Sequence, residues 1–275
     1  MMTMWGSLLL AVAATAAPEA VAPSTDVELW RLDCGDLSVS DFGVFSDSHR
    51  YDGKPYRLVD SCYLIRHGSD YLLWDTGLPG ELEGKSSVDG VFTVSVKERL
   101  TRQLARIGVK PGQIDFVGIS HNHFDHIGQA ADFPGATLLI GAPDLEALRT
   151  QPPERRDRVK PWVDGGSKAQ PVKRDHDVFG DGSVVMLGMP GHTDGHHSLL
   201  VRLKQTGPVL LTGDQFHASE SFEKNEVPSF NSNRADTLAS SDRFRAIAAN
   251  LKAKVVIQHE PADVAKLPAF PASAR

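Results

Sequence analysis

Four side chains that bind metals crowd into six positions of this chain: His121, His123, Asp125 and His126 of His121-Asn122-His123-Phe124-Asp125-His126. They follow directly on Ile114-Asp115-Phe116-Val117-Gly118-Ile119-Ser120, a short and largely apolar run that reads as a buried strand. The cluster therefore leaves the C-terminal end of a strand on a strand-to-helix loop. Packing does not call for such density, and a merely polar, His-rich loop is the weaker reading. Zinc binds neutral imidazole nitrogen and carboxylate oxygen at ~2.0–2.2 Å, and a catalytic site keeps one position open for water. Donors this close in sequence can serve two adjacent ions, with His121 and His123 pointing one way and Asp125 and His126 the other.

Two ions need more donors, and the rest of the chain offers them at further strand ends. Gly191-His192-Thr193-Asp194-Gly195 follows the apolar stretch Val184-Val185-Met186-Leu187. Leu210-Leu211-Thr212-Gly213-Asp214 ends another strand with a carboxylate able to bridge two ions, and Val255-Val256-Ile257-Gln258-His259 ends a third. A lone His or Asp at a strand end is usually a satisfied structural residue. Recurrence at four strand ends is what gives these positions weight.

Between the motifs, Val27 to Leu32 alternates with the period of a half-buried strand that ends at Gly35. Cys62 to Arg66 and Tyr71 to Asp75 form a hairpin around His67-Gly68-Ser69-Asp70. The loop from Gly35 to Pro55 carries Phe42, Phe45 and Tyr51, more aromatics than a solvated loop needs, so it is a candidate cover for a site. Val96, Leu100, Leu104 and Ile107 recur at helical spacing, which predicts an amphipathic helix over 94–107 capped by Gly108. Ala136 to Ile140, Ser183 to Leu187, Ser198 to Leu203, Val209 to Thr212 and Lys254 to Gln258 read as strands, and 236–251 as a helix. Strands early and late with helices interspersed point to two sheets covered by helices.

The N-terminus has the outline of a secretory signal peptide over residues 1–16, with an apolar run from Trp5 to Ala17 and small residues Ala14-Thr15-Ala16, although no Lys or Arg precedes the run. A linker over 17–25 and one domain over 26–275 follow, and the expected location is exported, periplasmic or secreted. The apolar run is too short to span a bilayer and none later reaches ~20 residues, so stable membrane insertion is not expected. In an exported protein Cys34 and Cys62 can bridge; two buried, unlinked thiols are the equal alternative. The composition, 41% hydrophobic and 23% charged over 275 residues, supports a real core. A net charge of -6 with scattered basic residues argues against nucleic acid and for a small-molecule partner. The oligomeric state is open, a homodimer among the options.

Taken together, His121-x-His123-x-Asp125-His126, His192, Asp214 and His259 resemble the metallo-β-lactamase superfamily over essentially the whole mature chain. Asp75-Thr76-Gly77, the Gly191-His192-Thr193 turn with Ser198, Thr212-Gly213-Asp214 and the long aromatic loop make it most similar to the N-acyl-homoserine lactonases, which quench quorum signals. The resemblance implies an α+β fold, a four-layer αββα sandwich with metals at one edge between the sheets. It implies that His121, His123 and His192 hold one ion, Asp125, His126 and His259 the second, and Asp214 bridges them. The ions are zinc by default, with Co, Mn or Fe accepted by the same donors. The implied reaction is attack of a metal-bridging hydroxide on the lactone carbonyl, with Asp125 carrying the proton to the leaving alkoxide. Lactonases commonly place a tyrosine three residues after the bridging aspartate, facing the substrate carbonyl, where this chain has His217. A neutral imidazole can donate the same hydrogen bond, so His217 is a candidate catalytic residue, with a surface histidine as the even alternative. Phe42, Phe45, Phe216, Phe222 and Phe230 are candidates to line an acyl pocket, each otherwise a core residue.

Other readings share the metals. A zinc β-lactamase uses a Cys ligand near position 214 or lacks the bridging aspartate, and Cys34 and Cys62 come too early to substitute. A glyoxalase-II-like thioesterase carries a C-terminal helical region, for which residues 260–275 are too few. A phosphotriesterase-like activity is also compatible. A non-catalytic exported metal-binding module would favour a closed four-ligand, often Cys-rich site. His49, His67 and His176 read as solvated, and His196 and His197 as packing residues or residues that orient a ligand.

Overall fold

The computed structural model describes residues 26–275; the expected signal peptide (1–16) and linker (17–25) lie outside them. One sheet contains β1 (Val27–Val39), β2 (Tyr56–His67), β3 (Asp70–Trp74), β4 (Ser86–Asp89), β5 (Phe92–Ser95), β6 (Phe116–Ile119), β7 (Thr137–Gly141) and β8 (Ala169–Val172). Their spatial order is β4-β5-β1-β2-β3-β6-β7-β8. The second contains β9 (His176–Asp177), β10 (Val184–Gly188), β11 (His197–Leu203), β12 (Gly207–Leu211) and β13 (Lys254–Val256), in the order β13-β12-β11-β10-β9. The helices are α1 (Leu100–Arg106), α2 (Phe124–Ile127), α3 (Ala142–Thr150), α4 (Pro153–Arg156), α5 (Lys160–Val163), α6 (Ser219–Lys224), α7 (Arg234–Leu251) and α8 (Pro261–Val264).

Side chains alternate across a strand, so a strand buried on both faces must be apolar throughout. Within β2 and β3, Cys62, Leu64 and Leu73 face a core shared with Leu100 and Leu104 of α1, Leu145 and Leu148 of α3 and Trp162 of α5. Tyr63, Ile65, Leu72 and Trp74 face the other sheet and meet Met186, Leu199, Val201, Leu211 and Val256. Beyond that sheet, Leu187, Leu200 and Leu210 pack on Phe244 of α7. Helix, sheet, sheet and helix therefore stack as an αββα sandwich, as expected.

Several boundaries differ from the sequence expectation. β1 runs past Gly35 to Val39, because a bulge between Asp33 and Gly35, with Gly35 at φ 144°, lets pairing with β2 resume. The helix expected over 94–107 begins only at Leu100: Val94 pairs with Leu37 across β5 and β1, and Val96 is buried beside Phe42. The hairpin over 86–95, the helices over 142–163 and the short strands β8 and β9 were not expected, since their runs are too short to show a period. His67 is not solvated but stacks on Phe179 and pairs with Asp181, and His176 is half-buried beside Gln170. His49 is exposed, as expected.

The two cysteines are bridged. Cys34 in β1 and Cys62 in β2 form a disulfide with Cα atoms 5.8 Å apart, buried against the α1 core. It backs the turn Asp75-Thr76-Gly77: a Cβ on Gly77, which holds φ +68°, would come within 2.5 Å of the Cys34 Cβ. Among the described residues no helix is long and apolar enough to cross a membrane. For the 28 residues separating the cysteines, loop-closure entropy makes the bridge worth about 3.6 kcal/mol. The Cys34→Ala/Cys62→Ala variant is accordingly expected to melt roughly 10 °C below the parent in a thermal scan. An unchanged melting temperature would contradict this.

Candidate metal centre

All seven candidate donors lie at one edge of the sandwich, on loops that leave strand ends and on the short helix α2. β3, β6 and β7 run parallel, and β6 releases its chain at Ser120 into His121 and His123 and then α2, which carries Asp125 and His126. His192 stands on the β10–β11 connection. Asp214 follows β12, and His259 follows β13, which runs parallel to β12. The donors form two groups: His121, His123, His192 and Asp214 in one, Asp125, His126 and His259 in the other.

Asp214 joins the two groups, one oxygen facing each. Its Oδ1 lies 2.9 Å from His259 Nε2 and 3.1 Å from His126 Nε2. Its Oδ2 lies 3.3 Å from His192 Nε2 and 3.6 Å from His121 Nε2. His192 Nε2 is in turn 3.1 Å from His121 Nε2 and 3.0 Å from His123 Nδ1. Donors about 2.0 Å from a tetrahedral zinc stand about 3.3 Å from one another, so these separations fit a metal. Asp125 Oδ2, 3.9 Å from His126 Nε2 and 4.0 Å from His259 Nε2, is the most open donor of the second group.

The far nitrogens of four of the five imidazoles are held by the protein, which fixes those rings and aims their Nε2 lone pairs inward, while His123 faces the centre with Nδ1. His259 Nδ1 donates to the Val59 carbonyl (2.8 Å) and His192 Nδ1 to Asn231 Oδ1 (2.8 Å). His126 Nδ1 lies 3.0 Å from Asp75 Oδ2, and His121 Nδ1 3.0 Å from Ser120 Oγ. Asp75 is buried in a left-handed backbone conformation (φ 57°) that aspartate tolerates. It also accepts from the Ser120 and Gln258 N–H groups, at 2.7 and 2.9 Å. His196 acts as expected of a residue that orients a ligand: its Nδ1 donates to the Met189 carbonyl (3.0 Å) and its Nε2 accepts from the Asp214 amide (2.9 Å). Gly213, at φ 56°, permits this close approach, since a Cβ there would lie 2.6 Å from His196 Nε2. His197 bonds the Gly195 carbonyl instead and packs.

His217 is no surface residue. It is buried, with Nε2 3.0 Å from Asp214 Oδ2 and its ring parallel to that of His259. Phe45 lies 4.7 Å from the His217 ring, and Phe230 5.3 Å from Phe45 and 5.8 Å from His192, so these two phenylalanines flank the centre on the His192 and His217 side. Phe42 supports Phe45 from behind by stacking on it and on Tyr56. Phe216 and Phe222 face away, against Phe244 in the α7 core under Arg245. They are core residues, not lining. Asp75, Ser120 and Asn231 escaped the sequence reading as orienting residues, because a single polar residue in a turn carries no spacing signal.

The charges explain why a cation is wanted here. Burial opposes a proton on His259, yet the Asp214 carboxylate outweighs it and raises the ring to about 9. His126 is likewise raised against burial, by Asp214 and Asp75. Burial keeps His121 and His123 neutral and lowers both strongly. In the metal-free protein the His259–Asp214 pair stabilises the fold below the ordinary value of 6.5 and loses that contribution as pH rises through about 9. A metal must displace that proton. Zinc added to metal-free protein at pH 7 in weak buffer is expected to release one or two protons per chain, recorded by an indicator dye; zinc uptake without proton release would contradict the assignment.

Comparison with known proteins agrees with this geometry. Residues 56–259 match the Metallo-beta-lactamase superfamily. The chain is 28% identical over 252 residues to the N-acyl homoserine lactonase AttM of Azorhizobium caulinodans, covering 86% of this chain and 94% of that protein. It is 27% identical to the N-acyl homoserine lactonase AiiA of Bacillus thuringiensis subsp. kurstaki, covering 76% of this chain and 84% of AiiA. Among solved structures, an N-acyl homoserine lactone hydrolase with the product N-hexanoyl-L-homoserine at its catalytic metal center superposes with a TM-score of 0.76. It is 25% identical and covers 90% of this chain and 98% of its own. The superfamily match spans most of the chain and includes all seven donors, His259 being its last position, so the protein belongs to the metallo-β-lactamase superfamily.

Proposed function

We propose that this protein opens the lactone ring of N-acyl-homoserine lactones at a two-ion centre held by His121, His123, His192, Asp125, His126, His259 and the bridging Asp214. The observation that carries the reading is Asp214, each of whose oxygens faces a separate donor group, with Phe45 and Phe230 beside them. The near full-length likeness to proteins named N-acyl homoserine lactonases supports the substrate class. Zinc suits the five imidazoles and two carboxylates, and cobalt, manganese or iron would be accepted by them.

Two divalent ions bound there supply hydroxide at neutral pH and draw charge from a carbonyl oxygen. The chain's own residues do the rest. Phe45 and Phe230 offer apolar surface to the acyl chain. Burial lowers His217 to about 4, so at pH 7 it is a neutral imidazole; its one N–H, which Asp214 Oδ2 accepts at 3.0 Å, would turn from that carboxylate to meet the developing oxyanion. Asp125, the most exposed donor of the second group, delivers the proton to the departing alkoxide. Water is thereby added across the ester C–O bond, giving a ring-opened acyl-homoserine.

The test is a substrate panel. Zinc- or cobalt-loaded protein is expected to open short- and long-chain lactones, with acid release followed by an indicator, and Asp214→Ala to abolish it. His217→Ala is expected to lower kcat roughly 100-fold, and His217→Tyr to retain most of it. Intact lactones alongside hydrolysis of a thioester, phosphotriester or β-lactam would overturn the substrate; binding of metal with no turnover of any would favour a non-catalytic module.

We also propose that the protein is exported to the periplasm or secreted. The buried Cys34–Cys62 bridge supports this, since disulfides persist in oxidising compartments. Fractionation is expected to find the protein outside the cytosol with its N-terminus near residue 17; cytosolic protein with two free thiols would contradict it.

A further inference from the structure

A buried carboxylate outside the donor set connects the two loops that carry the first group. Asp144 lies in the first turn of α3, only 2% exposed, yet it does not cap its own helix. Its Oδ2 accepts from the Asn122 amide (3.2 Å) and the Thr193 hydroxyl (2.7 Å), and its Oδ1 from the Gly195 amide (3.0 Å). Asn122 sits between His121 and His123, and Thr193 directly follows His192. One side chain thus joins the loop bearing two imidazoles of the group to the loop bearing the third. The only other hydrogen bond between these segments in the described structure, apart from the donor nitrogens themselves, is His197 N–H to the Ser120 carbonyl (2.8 Å).

The backbone is shaped to allow the link. Gly195 lies directly on the start of α3: a Cβ on Gly141 would meet the Gly195 oxygen at 1.9 Å, and a Cβ on Gly195 would meet Asp144 Cγ at 2.7 Å. Two glycines therefore bring the His192 loop within reach of one carboxylate. The placement has a cost. Burial raises the Asp144 carboxyl to about 6 although three donors pull the other way. The connection also has work to do, because the His192 nitrogen must stand 3.0–3.1 Å from those of His123 and His121 with the lone pairs converging. Loops free to separate would relax that crowding and lose the geometry a metal needs.

We infer that Asp144 is a positioning residue for the metal centre, which cross-links the His121/His123 loop to the His192 loop and so sets the affinity of the first ion without touching it. The inference rests on the reading of His121, His123, His192 and Asp214 as one metal site. Residues that orient metal ligands typically contribute 10–100-fold in affinity.

Zinc titration of the full chain against a chromophoric chelator tests it, with the visible spectrum of the cobalt-loaded protein and the melting temperature of the metal-free protein as further readouts. Wild type is expected to bind two equivalents. Asp144→Ala is expected to keep one equivalent at wild-type affinity, weaken the other 10–100-fold and alter only part of the cobalt spectrum. Asp144→Asn, which keeps the bond from Gly195 but whose amide nitrogen cannot accept, is expected to fall between. If Asp144→Ala does not fold, Thr193→Val decides, since it deletes one donor at equal volume; a weakening of the first ion of roughly tenfold is expected. Two ions bound by the variants as tightly as by wild type would overturn the inference, as would equal weakening of both. Failure of the underlying reading looks different: wild type itself would then not bind two ions.

Discussion

The centre depends on one buried carboxylate. Asp214 lies among the rings of His121, His126, His192, His217 and His259, and these neighbours hold it well below the usual carboxylate range against a burial that would raise it. A charge in so dry a place is tolerable only with partners on every side. Imidazoles alone provide them by taking up protons, and two cations provide them better. The same carboxylate orders the rest: its amide is tied to His196, its Oδ1 sets the His126 and His259 side, and its Oδ2 sets the His121, His192 and His217 side.

The sandwich makes that concentration of charge affordable. Parallel strands β3, β6 and β7 in one sheet and β12 and β13 in the other end at the same edge, so five separate loops converge there. Between the sheets, Tyr63, Leu72, Trp74, Leu199 and Leu211 form a fully buried, largely apolar floor. Trp74 adds a polar contact at the top of that floor, donating to Gln258 Oε1, while Gln258 itself donates to Asp75. Asp75 then steadies His126. The disulfide lies beneath the same turn, which ties the stability of β1 and β2 to the position of the candidate donor His126.

How far the sequence discloses this follows from what repeats in it. The donors were legible because chemistry needs many of one type, and His121, His123, Asp125 and His126 fall together after an apolar strand. The layers were legible where runs such as Leu64-Ile65 and Leu72-Leu73 are apolar on both faces. The helix expected over 94–107 failed at its start because Val94 and Val96 suit a strand edge and a helix face equally, and only their partners Leu37 and Phe42 decide. Phe216 and Phe222 were indistinguishable from Phe45 and Phe230 for the same reason: an aromatic side chain does not announce which side of its backbone it will take. Asn231 and Asp144 were beyond reach, and so was the orienting role of Asp75 within its Asp75-Thr76-Gly77 motif, since each contributes a single hydrogen-bonding group whose meaning lies in a residue distant in sequence.

The central claim is that Asp214 lies between two ions. Anomalous scattering at the zinc edge from crystals of the zinc-loaded protein tests it most directly. Two peaks of comparable height about 3.5–4 Å apart, one beside His121, His123 and His192 and the other beside Asp125, His126 and His259, are the expected result. A single peak, or peaks away from Asp214, would contradict it.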